Sequence, residues 1–439
     1  MKRVRFVMAL TAACLAGSMT RASEKDAWFD KNREELIALY QHFHSHPELS
    51  YQEVETAQRL AEELRKAGAE VTTHVGKLGV VGVLRNGEGP TVLIRSDLDA
   101  LPVTEATGLP YASKVVVQSD SGVPVGVMHA CGHDVHMTSL VATSRWLADN
   151  KTKWAGTVVL IGQPAEERIG GAKEMLADGL YERFPKPDYA LALHVTHNLE
   201  AGKVAYTSGP AMASSTSVDV IVKGKGGHGA APHSTVDPIV LASLLVLDLQ
   251  TIVSREVDPI HSAVLTVGSI HGGTKHNIIS DEVRLQLTLR AFRPEVGDQL
   301  VEGIRRRAKG LAEAHRAPAP TVTVGENTPP TINSPELVAR VVPFLADELG
   351  SPNVETVEPV MGAEDFGLFS QGGVPIFMFR LGTIPPARIA EAEAKGETLP
   401  SLHSALYQPD PIPSLRTGVR AMTAAVVGLL PPSSEKSDR

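Results

Sequence analysis

Apolar and polar residues follow helical and extended patterns in turn along the first part of the chain. Amphipathic spacing predicts helices over 30–40 and 54–67. Apolar runs of strand length follow over 79–84 and 91–95. The turn-forming residues 86–89 between them predict that these two strands form a β-hairpin.

Further apolar runs predict more strands, and three predicted strands lead directly into acidic or imidazole side chains. These are Asp97 and Asp99 after 91–95, Glu166 and Glu167 after 156–161, and His194 after 189–193. In an open α/β sheet, ligands sit at the carboxyl ends of the strands. The pattern therefore predicts a functional site at one edge of such a sheet.

From residue 217 the pattern changes to alternating strands and longer helices. The predicted order is strand, helix, strand, strand, helix, strand, which is the ferredoxin-like arrangement. We therefore expect an α/β catalytic domain with a central mixed sheet flanked by helices, interrupted by an inserted α+β domain. The expected bounds are 23–211 and 326–431 for the two catalytic parts, 212–325 for the insert and 432–439 for a tail.

Composition fits an ordinary globular chain of two domains. The chain has 439 residues, 43% of them hydrophobic, with a mean hydropathy of -0.02. Its formal net charge is -8, so it lacks the basic face that nucleic-acid binding requires.

The first 22 residues have the pattern of a secretory signal peptide. Basic residues precede an apolar run over 6–17, and small residues around Ala22 fit a cleavage site. We expect cleavage after Ala22, an exported protein in the periplasm or outside the cell, and no membrane span in the mature chain. Cys14 offers a lipoprotein as a weaker alternative. If Cys14 leaves with the signal, Cys131 has no disulfide partner and needs burial or a metal as protection.

The segment 128–136 concentrates metal-binding side chains, since it contains one cysteine, three histidines and one aspartate. Cys131 and His133 suit zinc-like ions. The competing interpretation is a histidine-rich helix start with Cys131 as a small buried residue. His42, His44 and His46 also alternate, but Pro47 favours a turn in which they are structural; a functional role for His46 stays open.

Adjacent glutamates are suited to divide two tasks at a metal centre. In extended chain, Glu166 and Glu167 would point to opposite sides, so that one binds metal and the other acts as general base. His228, in a glycine-rich loop of the insert, is either an exposed loop histidine or a donor to an oxyanion when the domains close. Asn277 and Arg290 are candidates for binding a substrate carboxylate.

With these residues in view, the chain resembles the amidohydrolase branch of the M20 metallopeptidases, which includes hippurate hydrolases and auxin-conjugate hydrolases. The motifs that carry the resemblance lie in order along the mature chain at 46–50, 97–102, 131–134, 163–167, 223–228, 277–281, 364–366 and 402–404. Two positions depart from the branch pattern. Arg168 replaces the usual glycine after the glutamate pair, and Ser280 replaces a common proline.

The resemblance implies a role for each matching residue. It implies a centre of two divalent ions (Zn, Mn or Co) bound by Cys131, His133, Glu167, His194 and His403, with Cys131 as the bridge. It further implies that Glu166 is the general base and that Asp99 orients a metal-binding histidine. His228 would stabilise the oxyanion from a partner's lid domain in a homodimer. Asn277 and Arg290 would bind the substrate carboxylate.

We therefore expect an amidohydrolase that cleaves N-acyl-L-amino acids or short peptides with a free carboxylate. A dipeptidase or carboxypeptidase on the same scaffold is the first alternative. A non-catalytic exported protein that binds metal or peptide is the second, although a free Glu166 beside a metal argues against it. A deacetylase of other amines, which would not need Arg290, is the third.

Overall fold

The computed structural model describes residues 23–118 and 122–432. The predicted signal peptide and most of the predicted tail lie outside these residues. The helices are α1 Glu24–Ser45, α2 Val54–Lys66, α3 His133–Asp149, α4 Gly171–Ala177, α5 Leu180–Arg183, α6 Pro238–Arg255, α7 Pro294–Ala314, α8 Pro335–Leu349, α9 Pro386–Lys395 and α10 Pro411–Leu429. The strands are β1 Glu70–Val75, β2 Gly79–Asn86, β3 Thr91–Asp97, β4 Val116–Gln118, β5 Pro124–Gly126, β6 Gly156–Gln163, β7 Tyr189–Glu200, β8 Val204–Tyr206, β9 Gly209–Met212, β10 Ser215–Lys223, β11 Gly227–His228, β12 Ala263–Gly272, β13 Ile278–Ile279, β14 Glu282–Ala291, β15 Thr321–Thr328, β16 Thr331–Asn333, β17 Val354–Thr356 and β18 Ile376–Ile384.

A mixed eight-stranded sheet forms the centre of the molecule, in the order β1-β2-β6-β3-β7-β18-β8-β17. The inner strands β6, β3, β7 and β18 are parallel to one another. Apolar clusters cover both faces of this sheet. Burial on both faces explains why the inner strands are almost continuously apolar in the sequence. The predicted mixed α/β sheet flanked by helices is confirmed.

The predicted hairpin between β2 and β3 is wrong. Both strands exist, but β6 lies between them, antiparallel to β2 and parallel to β3. The turn residues after β2 only reverse the chain, and the partner strand comes from about seventy residues later. Turn-forming residues indicate that the chain reverses at that point. They do not indicate which strands pair, because pairing depends on burial across the whole sheet.

Residues 215–328 form a second sheet with a core of its own. Its order is β12-β14-β10-β15, all antiparallel, and α6 and α7 pack on it. Apolar side chains of β10, β12, β14, α6 and α7 make a separate buried cluster, and the partly buried Val322 and Val324 of β15 pack against it. The expected domain bounds and the use of this unit as a lid or dimerisation surface stay predictions.

Helix α1 is longer than the sequence pattern predicts. It continues to Ser45, so His42 and His44 lie in its last turn and His46 caps it, and the predicted turn over these three residues is wrong. The predicted helix over 137–148 likewise begins earlier, at His133, and ends at Asp149.

One helix among the described residues, α6, is long and apolar enough to cross a membrane, with a mean hydropathy of 1.5. Its inward side chains, among them Leu241, Leu245 and Leu249, are buried against the second sheet. Core helices pass the same test. The expected lack of a membrane span therefore stays a prediction.

Candidate metal centre and active site

The parallel strands bring their polar ends to one edge of the main sheet. In the register of β3 with β6, Asp97 is level with Gln163, and Glu166 follows three residues later. His194 was expected to end its strand, but β7 continues to Glu200. The ladder between β3 and β7 stops at Arg95 and Ala192, so His194 still lies beyond the part of β7 that β3 covers.

Cys131 and His133 are held at the start of α3. Gly132 is the N-cap of this helix, with φ of 74°, a left-handed conformation that disfavours other residues. A Cβ there would lie 2.6 Å from a methyl group of Val195. The glycine therefore permits both the turn and the close approach of α3 to β7. Cys131 is buried and free of any disulfide.

Glu166 and Glu167 lie in a tight turn and not in the extended chain that the sequence predicts. The Ile169 amide donates to the Glu166 carbonyl at 2.7 Å, and Ala165 and Ile169 both have positive φ. Such backbone strain is typical of functional sites.

The turn places the two carboxylates in different surroundings. Glu167 Oε1 lies 3.9 Å from His133 Nε2 and 3.4 Å from His403 Nε2. Glu166 is only 6% exposed, and one of its oxygens lies within 4.8 Å of oxygens of Glu364 and Asp365. Glu167 thus contacts two imidazoles, whereas Glu166 lies between this group and the buried carboxylates, since one of its oxygens is also within 4.8 Å of ligand atoms of His133 and Glu167.

The metal-binding residues predicted from the sequence fall into two groups that share Cys131. Cys131, His133 and His194 form one group whose ligand atoms lie within 4.8 Å of one another, and Cys131, Glu167 and His403 form another. Cys131 belongs to both groups, and its Sγ is 3.6 Å from His194 Nε2. That Cys131 bridges two ions stays a prediction.

Two buried donor atoms also have no hydrogen-bond partner among the described residues: His133 Nε2 and Glu167 Oε1. Buried polar atoms are nearly always paired, so orphaned atoms that face each other indicate a missing partner. Imidazole, thiolate and carboxylate together match divalent transition-metal ions. The residues present therefore fit a metal centre.

Asp99 lies where it can orient His133. The His133 Nδ1 is 2.7 Å from the backbone oxygen of Asp99 and 3.5 Å from its carboxylate. The carboxylate in turn accepts from Ser50 Oγ at 2.6 Å and from the Glu167 amide at 3.0 Å. A bond at Nδ1 leaves Nε2 as the metal-binding atom.

A buried charge cluster below the site was not predicted from the sequence. Arg95, 2% exposed, pairs with Asp97 at 2.6 Å, with Glu364 at 2.6 Å and with Asp365 at 3.1 Å. Its Nε donates to Gln163 Oε1 at 2.9 Å. An arginine inside an apolar strand was the only sequence signal for this cluster.

Burial and neighbouring carboxylates set the protonation of the site. Burial, followed by the charges of Glu364 and Glu167, raises the pKa of Glu166 well above its usual range. Burial also raises the pKa of the Cys131 thiol. A raised carboxylate pKa is characteristic of groups that accept and return protons near neutral pH.

Residues 93–402 match the Peptidase family M20/M25/M40. The chain belongs to this family. It is therefore a metal-dependent amidohydrolase or peptidase, as the recognition from sequence motifs predicted.

Relatives of known name agree with this membership. Thermostable carboxypeptidase 1 of Saccharolobus solfataricus is 39% identical over 79% of this chain and 86% of its own length. A hippurate hydrolase of Campylobacter jejuni is 39% identical over 78% of this chain and 85% of its own. The crystal structure of the YXEP protein of Bacillus subtilis, a dinuclear metal binding peptidase from the M20 family, matches with a TM-score of 0.74 and 28% identity, covering 91% of this chain and 99% of that one.

The cavity of this M20 enzyme brings most of the predicted residues together. It has a volume of about 360 Å³ and is lined by Cys131, Glu166, Glu167, Ile169, His194, Met212, Arg290, Gly362, Ala363, Leu402 and His403. His133 lies directly behind this lining, 1% exposed.

Two predicted residues of the unit over residues 215–328, here called the second sheet unit, lie outside the cavity lining of this M20 chain. His228 is exposed on β11, which pairs with β13, and the Gly229 amide beside it donates to the Asn277 carbonyl at 2.9 Å. His228 and Asn277 are thus close to each other, whereas Arg290 faces the cavity. Arg168 is exposed and is not part of the lining.

Proposed function

We propose that this enzyme hydrolyses the amide bond of N-acyl-L-amino acids, or of short peptides, whose amine side carries a free carboxylate. The observation that carries the proposal is the division of the glutamate pair. Glu167 lies within 4.0 Å of two imidazoles, whereas Glu166 lines the same cavity farther from them, with His133 within 4.8 Å, and is also close to the carboxylates of Glu364 and Asp365. A binding protein would have no use for this second carboxylate.

The residues that would hold two divalent ions are Cys131, His133, Glu167, His194 and His403. Zinc, manganese and cobalt all suit these donors. Such ions, when bound, polarise the amide carbonyl and lower the pKa of water.

The protein's own residues supply the proton transfers. Glu166 accepts a proton from the attacking water, whose oxygen bonds to the amide carbon. The C–N bond then breaks as Glu166 returns the proton to the leaving amine nitrogen, which leaves a free amino acid and the acyl carboxylate. Glu166 is buried beside the candidate metal-binding residues, a position from which one carboxylate can take up the proton and deliver it to the nitrogen.

Arg290 binds the substrate carboxylate from the cavity wall. It is partly buried, burial lowers its pKa, and no carboxylate of the described chain lies within salt-bridge distance of it. A guanidinium in this state is suited to bind a carboxylate with two hydrogen bonds. One relative is named a hippurate hydrolase, and hippurate is an N-acyl amino acid. The carboxypeptidase relative favours a peptide substrate as the second candidate.

We further propose an exported homodimer. His228 and Asn277 lie together on the second sheet unit, away from the cavity of their own chain, and a partner's unit would bring them to it. His228 would then donate to the oxyanion and Asn277 would assist Arg290.

The test uses protein that begins at Ser23, with a panel of N-acetyl amino acids, N-benzoylglycine and dipeptides. Amino-acid release is measured with and without chelator, and bound metal is measured by mass spectrometry. We expect Glu166→Gln to lower kcat by at least about 100-fold while metal is retained, and Glu167→Gln to lose metal. Glu62→Gln, at an exposed position, is the control. Release that survives both the chelator and Glu166→Gln would refute the proposal.

A further inference from the structure

Arg380 lies beside the candidate metal centre on the catalytic sheet. It is level with His194 in the parallel pairing of β18 with β7, and with Ala205 of β8 on its other side. Residues directly paired across parallel strands point to the same face of a sheet. Arg380 and His194 therefore emerge on one face, the face that leads to the cavity.

Arg380 has no acidic partner although it is partly buried. Across residues 23–118 and 122–432, no carboxylate lies within 4.0 Å of its guanidinium, and its hydrogen bond is a long one of 3.5 Å to the Ala211 carbonyl. Burial is the cause that lowers its pKa. By contrast, Arg95 in the same sheet is paired with three carboxylates.

An arginine withdrawn from water without an anion is unfavourable unless a ligand supplies the anion. The position of Arg380 suits a ligand, because Ala211 precedes Met212, and both Met212 and His194 line the cavity. Arg290, the other unpaired arginine of the site, approaches from the second sheet unit. Arg290 lines the cavity of about 360 Å³ directly, whereas Arg380 lies behind its lining, paired across the sheet with His194 and hydrogen-bonded to Ala211 next to Met212.

We propose that Arg380 binds a second carboxylate of the substrate, so that the preferred substrates are dianionic N-acyl amino acids. The inference rests on the proposed amidohydrolase function, in which Arg290 takes the first carboxylate. The second carboxylate belongs either to the side chain of an acidic amino acid or to a dicarboxylic acyl group. Both sources present the same group to Arg380.

The experiment compares two pairs of substrates that differ in one charge. N-acetyl-L-glutamate against N-acetyl-L-glutamine tests the side chain, and N-succinyl-L-leucine against its monoamide tests the acyl group. We measure kcat/KM for the wild type, Arg380→Gln, Arg380→Lys and the control Arg85→Gln, which changes an exposed arginine of β2. Thermal melting checks that each variant is folded.

We expect the wild type to prefer the charged member of one pair by at least about tenfold, as a charge-assisted hydrogen bond would give. Arg380→Gln should abolish that preference and leave the neutral member within about twofold, since an uncharged substrate makes no such bond. Arg380→Lys should retain part of the preference, and Arg85→Gln all of it. The pair that responds identifies the source of the second carboxylate.

Two other results would each decide against a specific claim. Hydrolysis of the neutral members with no charge preference, or a preference that Arg380→Gln leaves intact, overturns the role of Arg380 alone. An absence of hydrolysis with all four substrates and with the wider panel overturns the proposed function itself.

Discussion

Gly132 shows how one backbone angle can hold two candidate ligands in place. Its φ of 74° and the 2.6 Å approach of Val195 leave no room for a side chain. We expect Gly132→Ala to lower the free energy of unfolding by about 1–3 kcal/mol, because the new methyl group adds both strain and a clash. Urea denaturation followed by circular dichroism measures the change.

The matched control is Gly310→Ala, an exposed position inside α7 where a Cβ would meet no heavy atom within 4 Å. Alanine should stabilise the helix there by up to about 1 kcal/mol. Equal effects of the two substitutions would show that the conformation of Gly132 is not required.

The sequence identified the candidate metal-binding residues better than it identified the buried residues that hold them in place. Cys131, Glu167, His194 and His403 were named from motifs, and the structure brings them to one cavity. The Arg95 cluster was missed, because Arg95 and Glu364 are separated by 269 residues and no local pattern pairs them. Ion pairs of this kind depend on the folded topology and leave no periodicity in the chain.

A buried ion cluster joins α1 to the start of α3, and it predicts how stability depends on pH. His44 Nδ1 lies 2.7 Å from Asp134 and its Nε2 lies 3.2 Å from Glu105. Burial alone would lower the pKa of His44, but the two carboxylates outweigh it and raise the pKa from 6.5 to about 9. A pKa raised on folding stabilises the protein fully below pH 6.5, and that stabilisation is lost as the pH rises through 9.

We therefore expect His44→Gln to destabilise the protein strongly at pH 6, by roughly 3 kcal/mol from the shift in pKa. The difference from wild type should shrink steadily up to pH 9. Urea denaturation of both proteins at each pH gives the comparison. His315→Gln, at an exposed helix end, should show no such trend. A difference that is constant with pH would mean that His44 is not charged in the folded protein.

The charge cluster around Arg95 ties β3 to the segment that contains Glu364 and Asp365. Arg95→Met would leave these carboxylates and Asp97 buried without their shared cation. We expect a loss of roughly 3–5 kcal/mol in the free energy of unfolding, the usual result of breaking a buried pair on one side. Arg85→Met, which changes an exposed arginine, should change stability by less than about 0.5 kcal/mol. Similar values for both would show that the buried carboxylates are neutral.

The type of secondary structure was predictable where one pattern extends over many residues, as in β6, β7 and the long helices, although the ends of β7, α1 and α3 were misplaced. Pairing was less predictable. The segment 86–89 has strong turn chemistry, yet β2 pairs with β6 because each inner strand must be buried on both faces. The end of β7 was misjudged for the same reason, since its pairing with β18 continues past His194.

At the scale of the whole molecule, the proposed dimer predicts that two inactive variants restore each other. Glu166→Gln and His228→Ala alter groups that would meet only across the interface. In a randomly mixed population, about a quarter of the sites would contain both native residues. We therefore expect the mixture, after unfolding and refolding together, to regain about a quarter of wild-type activity.

Each variant refolded by itself is the control and should stay inactive. Sedimentation of the mixture shows whether dimers have formed. Dimers that regain no activity would place His228 in the same chain as the Glu166 that it assists, or outside the reaction.

The order of the donors along the chain bears on how the protein is made. Of the five candidate metal-binding residues, translation delivers Cys131 first and His403 last. Leu415 and Val426 of α10, which complete the main core, come later still. The unit over 215–328, with its own core, is synthesised well before them and can fold while the chain grows. Metal uptake is thus expected only after α10 has been synthesised, and a chain stopped short of His403 would contain every strand of the main sheet but lack one of the candidate metal-binding residues.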